Sequence, residues 1–203
     1  MAPDRRHTAA RRLCHADRGG EGALADRSTG QLWFANADFE TGRRIDLTQS
    51  VLSSFYAGLL SESGDHAAGV ANLRAWIGAQ GTFGIIPESF DPSDWSIAAP
   101  SNALRPELVD SALTVWFDDR AEEWRDAARV HFEAMKANQK AAHGYSGLTD
   151  IARPGSFDDD CPGYWWSEQM KYYWLIFADC PRFDYRDHYL STEGNVFRGF
   201  RRT

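Results

Sequence analysis

From about position 45 onward, the apolar positions of this 203-residue chain fall at helical rather than strand-like spacing. Between Asp46 and Ser63, Leu47, Val51, Leu52, Phe55, Leu59 and Leu60 recur at steps of three, four and one, the stripe that a helix turns toward a core. Gly64 and Asp65 interrupt it, and Ala67, Val70, Leu73 and Ile77 carry it onto a second helix expected to stop near Gly78 to Gly81. Thr82 to Arg105, with Pro87, Pro92 and Pro100, reads as a long loop, and such loops are uncommon unless they rim a site. A third helix opens at Pro106, a residue well suited to a first turn, and buries Leu108, Val109, Ala112, Leu113 and Trp116. A fourth runs from about Ala121 to Ala142 with Trp124, Ala128, Phe132 and Met135 inward. Gly144 to Ile151 is turn-rich. The fifth helix, about Gly163 to Ala178, is apolar nearly all round and belongs inside a larger helical structure. From Asp187 the chain reads as a short turn or hairpin around Thr192, Glu193 and Gly194, and no strong β-alternation is visible anywhere. The expected fold class is all-α, with paired helices joined by alternately short and long loops, as in an α/α toroid or solenoid.

Composition narrows the function. With 43% hydrophobic and 25% charged residues the chain can bury a core, and its net charge of −7 argues against a dedicated nucleic-acid binder. The longest apolar run, about Tyr172 to Ala178, is far short of the ~20 residues that cross a bilayer, so no membrane span is expected. Aromatic residues make up 13% of the chain, enough to line a wide pocket or stack on sugar rings, though they also fill cores. Cys14, Cys161 and Cys180 are too few and too odd for a disulfide framework. The expected fifth helix would hold Cys161 and Cys180 ~27 Å apart, beyond the ~7 Å reach of a disulfide. Residues 1–30 carry six Arg against four acids, but no apolar stretch of signal-peptide type follows. Residues 1–32 are therefore expected to be a poorly ordered leader or the edge of a truncation, and 33–203 one helical domain.

Four carboxylates stand at helix starts or in apolar surroundings: Glu107 and Asp110 in the first turn of the third helix, Glu168 within the aromatic run from Tyr164 to Tyr173, and Glu193 after Thr192. Each has a structural explanation of its own. First-turn acids complement the helix dipole, Glu168 can pair with Lys171, and Thr-Glu-Gly is ordinary turn composition. Together they would supply the hard oxygens that calcium takes, or the carboxylate pair that glycosidic hydrolysis needs.

Four segments, in order, are similar to the motifs of one family. Leu104-Arg105-Pro106-Glu107-Leu108-Val109-Asp110-Ser111 is like LRPE-x-x-E-S, and Gly144-Tyr145-Ser146-Gly147-Leu148-Thr149-Asp150-Ile151 is like GYAGLSDV. Glu168 to Phe177 is like ETLKYLYLLF, and Ser191-Thr192-Glu193-Gly194 is like a terminal TEG or NTEA. Weaker echoes are Trp33 to Gly42, Phe55 to Asp65 and Ile86-Pro87-Glu88. The chain thus resembles the C-terminal half of glycoside hydrolase family 47, the class I α-1,2-mannosidases, and within it the endoplasmic-reticulum degradation-enhancing mannosidase-like branch.

That resemblance implies part of an (α/α)7 barrel ending in a short β-hairpin, and calcium-dependent removal of α-1,2-linked mannose with inversion. Glu107 would be the general base, Arg105 would position the sugar and Trp165 would lie under it. Thr192 would ligate calcium directly. Glu107, Asp110, Glu168 and Glu193 would hold the ion's waters, and Glu168 and Glu193 would also contact substrate. The partner would be a mannose-containing oligosaccharide or glycoprotein glycan, with self-association conceivable to cover open barrel edges. Departures point the other way. The segment carrying the family's acid has no counterpart before position 33. A second family aspartate aligns with Ser50, for which Asp46 is a distant substitute, a family glutamate aligns with Pro162, and a terminal histidine with Asn195. The expected activity is accordingly partial and impaired in the chain alone, with a non-catalytic glycan-binding or quality-control protein, or a helical scaffold remnant, as alternatives.

Overall fold

A computed structural model describes residues 22–178 and 188–198. Among the described residues, helices carry most of the regular structure, with four small antiparallel sheets at their ends. Strands β1 (Ala25–Asp26) and β2 (Trp33–Phe34) pair first. Then β3 (Gln49–Ser50) leads into a 3-10 turn, Val51–Phe55, and helices α1 (Tyr56–Glu62) and α2 (His66–Phe83) follow. Strands β4 (Ser89–Phe90) and β5 (Ile97–Ala99) complete a three-stranded sheet with β3. Helices α3 (Glu107–Asp119) and α4 (Glu122–Asn138) come next, then the hairpin of β6 (Lys140–Ala141) and β7 (Gly144–Tyr145). A π-helical turn, Trp165–Gln169, opens α5 (Met170–Phe177), and β8 (His188–Leu190) and β9 (Val196–Arg198) end the described chain. None of the helices is long and apolar enough to cross a membrane, among the described residues.

Local chemistry sets these boundaries. Asp65 caps α2 by accepting from Ala68 N at 3.1 Å, and Gly84, at φ 77°, ends it. The helix passes through Gly78 and Gly81, where the sequence suggested a stop, because its buried face continues through Ala79 and Gln80. The helix expected from Asp46 starts only near Val51. Asp46 Oδ1 accepts from Asn36 Nδ2 at 2.7 Å and from Thr48 N at 3.0 Å, a turn that competes with helix. Asp46 therefore does not stand one helical turn ahead of Ser50. Ser50 itself lies in β3 opposite Ser89. The loop expected over 82–105 contains β4 and β5, whose two and three residues are too short to print an alternating pattern.

The core joins an aromatic group, Trp33, Trp76, Phe83, Phe90 and Trp95, to the inward faces of α3, α4 and α5. α1 and α2 approach closely at Gly69, where a Cβ would stand 2.7 Å from the Ala57 carbonyl oxygen. Leu32, just ahead of β2, is 1% exposed. Exposed apolar side chains remain on Leu52, Phe55 and Leu59, the outer stripe of the first helical segment. Cys161 is a free, exposed thiol, while Cys14 and Cys180 lie outside the described residues.

Candidate functional site

The segment leading into α3 is held by one buried amide. Asn102 Nδ2 donates to the Ile86 carbonyl at 2.8 Å, and its Oδ1 accepts from Leu104 N at 3.0 Å and Gln139 Nε2 at 2.9 Å. The Asn102 backbone pairs with Leu148, which places the 144–151 segment under the same turn. Ser146 Oγ donates to Asp158 Oδ1 at 3.0 Å, so Asp158 latches this segment. Leu104 has a φ of 58°, which a leucine adopts only when its surroundings impose it, and the next two residues are Arg105 and Pro106.

Arg105 forms a two-pronged pair with Glu88: Nε to Oε1 at 2.9 Å and Nη2 to Oε2 at 2.9 Å. Glu88 Oε1 also accepts from Ala103 N at 2.9 Å. The weak echo around Ile86-Pro87-Glu88 thus lies beside Arg105, although no role for Glu88 was expected from the sequence. Beside this pair Glu107 opens α3, and its Oε2 is buried with no hydrogen-bond partner. Burial pushes the Glu107 carboxyl up to about 7; repulsion from Glu168 and Glu88 adds to this, while Arg105 pulls the other way.

The second half of the cluster comes from α5 and the terminal hairpin. Glu168, in the π-helical turn, is raised by burial and then by Glu193 and Asp110, with Lys171 opposing. Ser167 Oγ donates to Glu193 Oε2 at 3.1 Å. Lys171 is lowered by burial against the attraction of Asp110, Glu168 and Glu193. Its Nζ donates to the carbonyls of Ser191 at 2.7 Å and Thr192 at 2.6 Å. The turn Ser191–Asn195, closed by Gly194 at φ 78°, therefore presents Thr192 and Glu193 to the α5 end. Arg105, Glu107, Asp110, Glu168, Thr192 and Glu193 share one neighbourhood despite wide separation in the chain.

Trp165 does not join them. It is 1% exposed and packs on Tyr145 at 4.8 Å and Trp166 at 4.6 Å, so its ring faces the core, not a sugar. One residue is about 100° on a helix, and it is Tyr164 that turns to the cluster. The Tyr164 hydroxyl donates to the Ala103 carbonyl at 2.5 Å, and burial raises it, with Arg105, Glu107 and Glu88 all close enough to act on it. The fourfold spacing between Tyr164 and Glu168 was the signal available in the sequence for this residue.

Among the described residues no three His, Cys, Asp or Glu side chains stand close enough to chelate a cation directly. What the cluster offers is four mutually repelling carboxylates, an orphaned carboxylate oxygen on Glu107 and the Thr192 carbonyl, with Lys171 as countercharge. Such hard oxygens fit a calcium ion held largely through water.

A solved structure, an alpha-1,2-mannosidase from Trichoderma reesei, superposes at a TM-score of 0.77 with 22% identity, covering 96% of this chain and 48% of that one. The likeness places the fold in that helical barrel, of which this chain matches about half. Alpha-mannosidase I MNS4 of Arabidopsis thaliana is 24% identical over 147 residues, 71% of this chain and 23% of that protein. ER degradation-enhancing alpha-mannosidase-like protein 3 of Homo sapiens is 23% identical over 147 residues, 71% of this chain and 16% of that protein. The chain thus spans less than a quarter of these curated relatives. The family model for glycosyl hydrolase family 47 matches residues 20–199, all the motif segments included, and the chain belongs to that family.

Proposed function

We propose that the chain carries the sugar-holding and base-bearing part of a calcium-dependent, inverting mannosidase site acting on α-1,2-linked mannose of oligosaccharides or glycoprotein glycans. The observation that supports it is the buried Glu107 carboxyl, its Oε2 without a hydrogen-bond partner, beside Arg105 and within reach of the charge on Glu168. Burial raises the Glu107 carboxyl to about 7, and a calcium ion nearby would draw it back toward the ordinary carboxylate range, where it is ionised at neutrality and able to accept a proton from water. The Arg105–Glu88 pair fixes the guanidinium next to it, so a sugar hydroxyl would meet a donor already in place. Tyr164, not Trp165, offers the aromatic face on this side. Calcium, held by Thr192 and through water by Glu107, Asp110, Glu168 and Glu193, would supply a positive charge that orients vicinal hydroxyls and lowers the Glu107 pKa.

The test is hydrolysis of α-1,2-mannobiose by the full chain in calcium, followed by NMR of the released anomer. Release of β-mannose first, lost by at least about a hundredfold in Glu107→Gln, supports the reading. No turnover and no calcium-dependent binding removes it. A second reading, calcium-dependent mannose binding without turnover, is favoured by Ser50, which pairs in a sheet where a second acid is expected. Calorimetric binding of mannobiose with no hydrolysis would select it.

A further inference from the structure

One histidine pins the corner between α1 and α2 to the far end of α3. His66, the first residue of α2, stands between Ser61 on α1 and the paired acids Asp118 and Asp119 that end α3. Its Nδ1 lies 2.8 Å from Ser61 Oγ and 3.8 Å from Asp118 Oδ2, and its Nε2 lies 3.5 Å from Asp119 Oδ2. These groups sit about 18 Å along α3 from Glu107, at 1.5 Å per residue, and share no residue with the acidic cluster.

The hydrogens available fix the tautomer of the ring. Ser61 Oγ donates its one hydrogen to Asp118 Oδ2 at 2.5 Å. Toward His66 the hydroxyl can then only accept, so Nδ1 carries a proton. In the neutral ring Nε2 is therefore a lone pair facing the Asp119 carboxylate, two acceptors with no hydrogen between them. Asp119 is held in that orientation, because it accepts from Trp124 Nε1 at 2.9 Å and from Ala121 N at 2.8 Å. A second proton on the ring turns this unfavourable contact into an ion pair.

The remaining charges around the corner are mixed. Arg74 on α2 pairs with Glu123 at 2.7 Å and also attracts Asp119. Asp65 caps α2 through Ala68 N, Glu62 ends α1, Glu122 starts α4, and Arg120 stacks over Trp116 at 4.1 Å. The His66 side chain is 42% exposed, so solvent protons reach it without any opening of the fold.

We propose that His66 is a proton-operated clasp. The doubly protonated ring bridges α1 and the end of α3 and closes the corner, and loss of the Nε2 proton as pH rises loosens it. The inference does not depend on the acidic cluster being catalytic.

Two-bond 15N–1H correlation spectra of the full chain read the tautomer directly. Above about pH 8 the neutral His66 ring is expected to carry its proton on Nδ1, the reverse of the form free histidine favours, and to revert to Nε2–H in Ser61→Ala. The amides of Ser63, Gly64 and Asp65 bond back to α1. Their protection, corrected for intrinsic exchange, should fall several-fold between about pH 5.5 and about pH 8.5, and the fall should vanish in His66→Gln. Should His66→Gln fail to fold, Asp119→Asn removes the facing charge and should flatten the same change. The proposal is overturned if the parent ring is the Nε2–H tautomer, if Ser61→Ala leaves the tautomer as it is, if corner protection does not change with pH, or if the folded His66 or Asp119 variant keeps the parent's pH dependence.

Discussion

Lys171 donates to the Thr192 carbonyl at 2.6 Å, so an ammonium on α5 tethers the terminal hairpin turn to the acidic cluster. The same oxygen belongs to the residue proposed to ligate calcium, and Lys171 holds that turn with a charge of the protein's own. Replacing Lys171 by Met should loosen the turn. Amide exchange at Thr192 to Asn195 is expected to accelerate, and stability to drop by on the order of 1–2 kcal/mol in denaturant titrations without calcium. Unchanged exchange in the variant would show that the tether is not what orders the turn.

Glu107 gives stability a dependence on pH with a definite sign. Its carboxyl is raised from 4.5 to about 7, so the folded state holds a proton that the unfolded state has lost. Stability from this group is present below about 4.5 and is lost as pH rises through about 7. Glu107→Gln cannot ionise and should be more stable than the parent at pH 8, by on the order of 2–3 kcal/mol, with the gap closing toward pH 5. Urea titrations at both pH values measure this. A parent equally stable at both would mean that the carboxyl is already solvated.

His131 works at the other end of the scale. Burial lowers it to about 4, and its Nδ1 meets the Tyr173 hydroxyl at 2.6 Å between α4 and α5. The unfolded state takes up the proton first, so stability falls as pH drops from about 6.5 toward 4. His131→Phe should flatten that decline. Thermal midpoints between pH 4 and 7 would reveal it, and an equally steep acid loss in the variant would assign the effect to other groups.

Much of this arrangement was readable beforehand, for reasons that differ by residue. α3 and its first-turn acids follow from Pro106 and the buried spacing of Leu108, Val109, Ala112 and Leu113, all of it local information. The convergence of Glu107, Glu168 and Glu193 is not local and came from family likeness. Three features escaped. The strands are too short to show period two. The helix expected from Asp46 lost to side-chain hydrogen bonds with Asn36 and Thr48, partners that periodicity does not register. Trp165 and Tyr164 differ by one position, and the irregular π-helical turn decides which ring faces inward.

Gly147 supplies a fourth prediction. A Cβ there would run into Asp158 Oδ2, so Gly147→Ala should displace Asp158 and break its bond from Ser146, at a cost of about 1–2 kcal/mol. Asp158→Ala removes the obstacle, and the double variant should be more stable than the sum of the two singles implies. Strict additivity in that cycle would deny the contact.

The Asn102 side chain bonds to the chain at Ile86, Leu104 and Gln139, and its backbone to Leu148. Two of those partners, Gln139 and Leu148, lie beyond α3 and α4, so they are satisfied only once those helices have docked. The turn presenting Arg105 and Glu107 is consequently complete only in the docked structure, and any local opening that frees Gln139 or Leu148 loosens it as well.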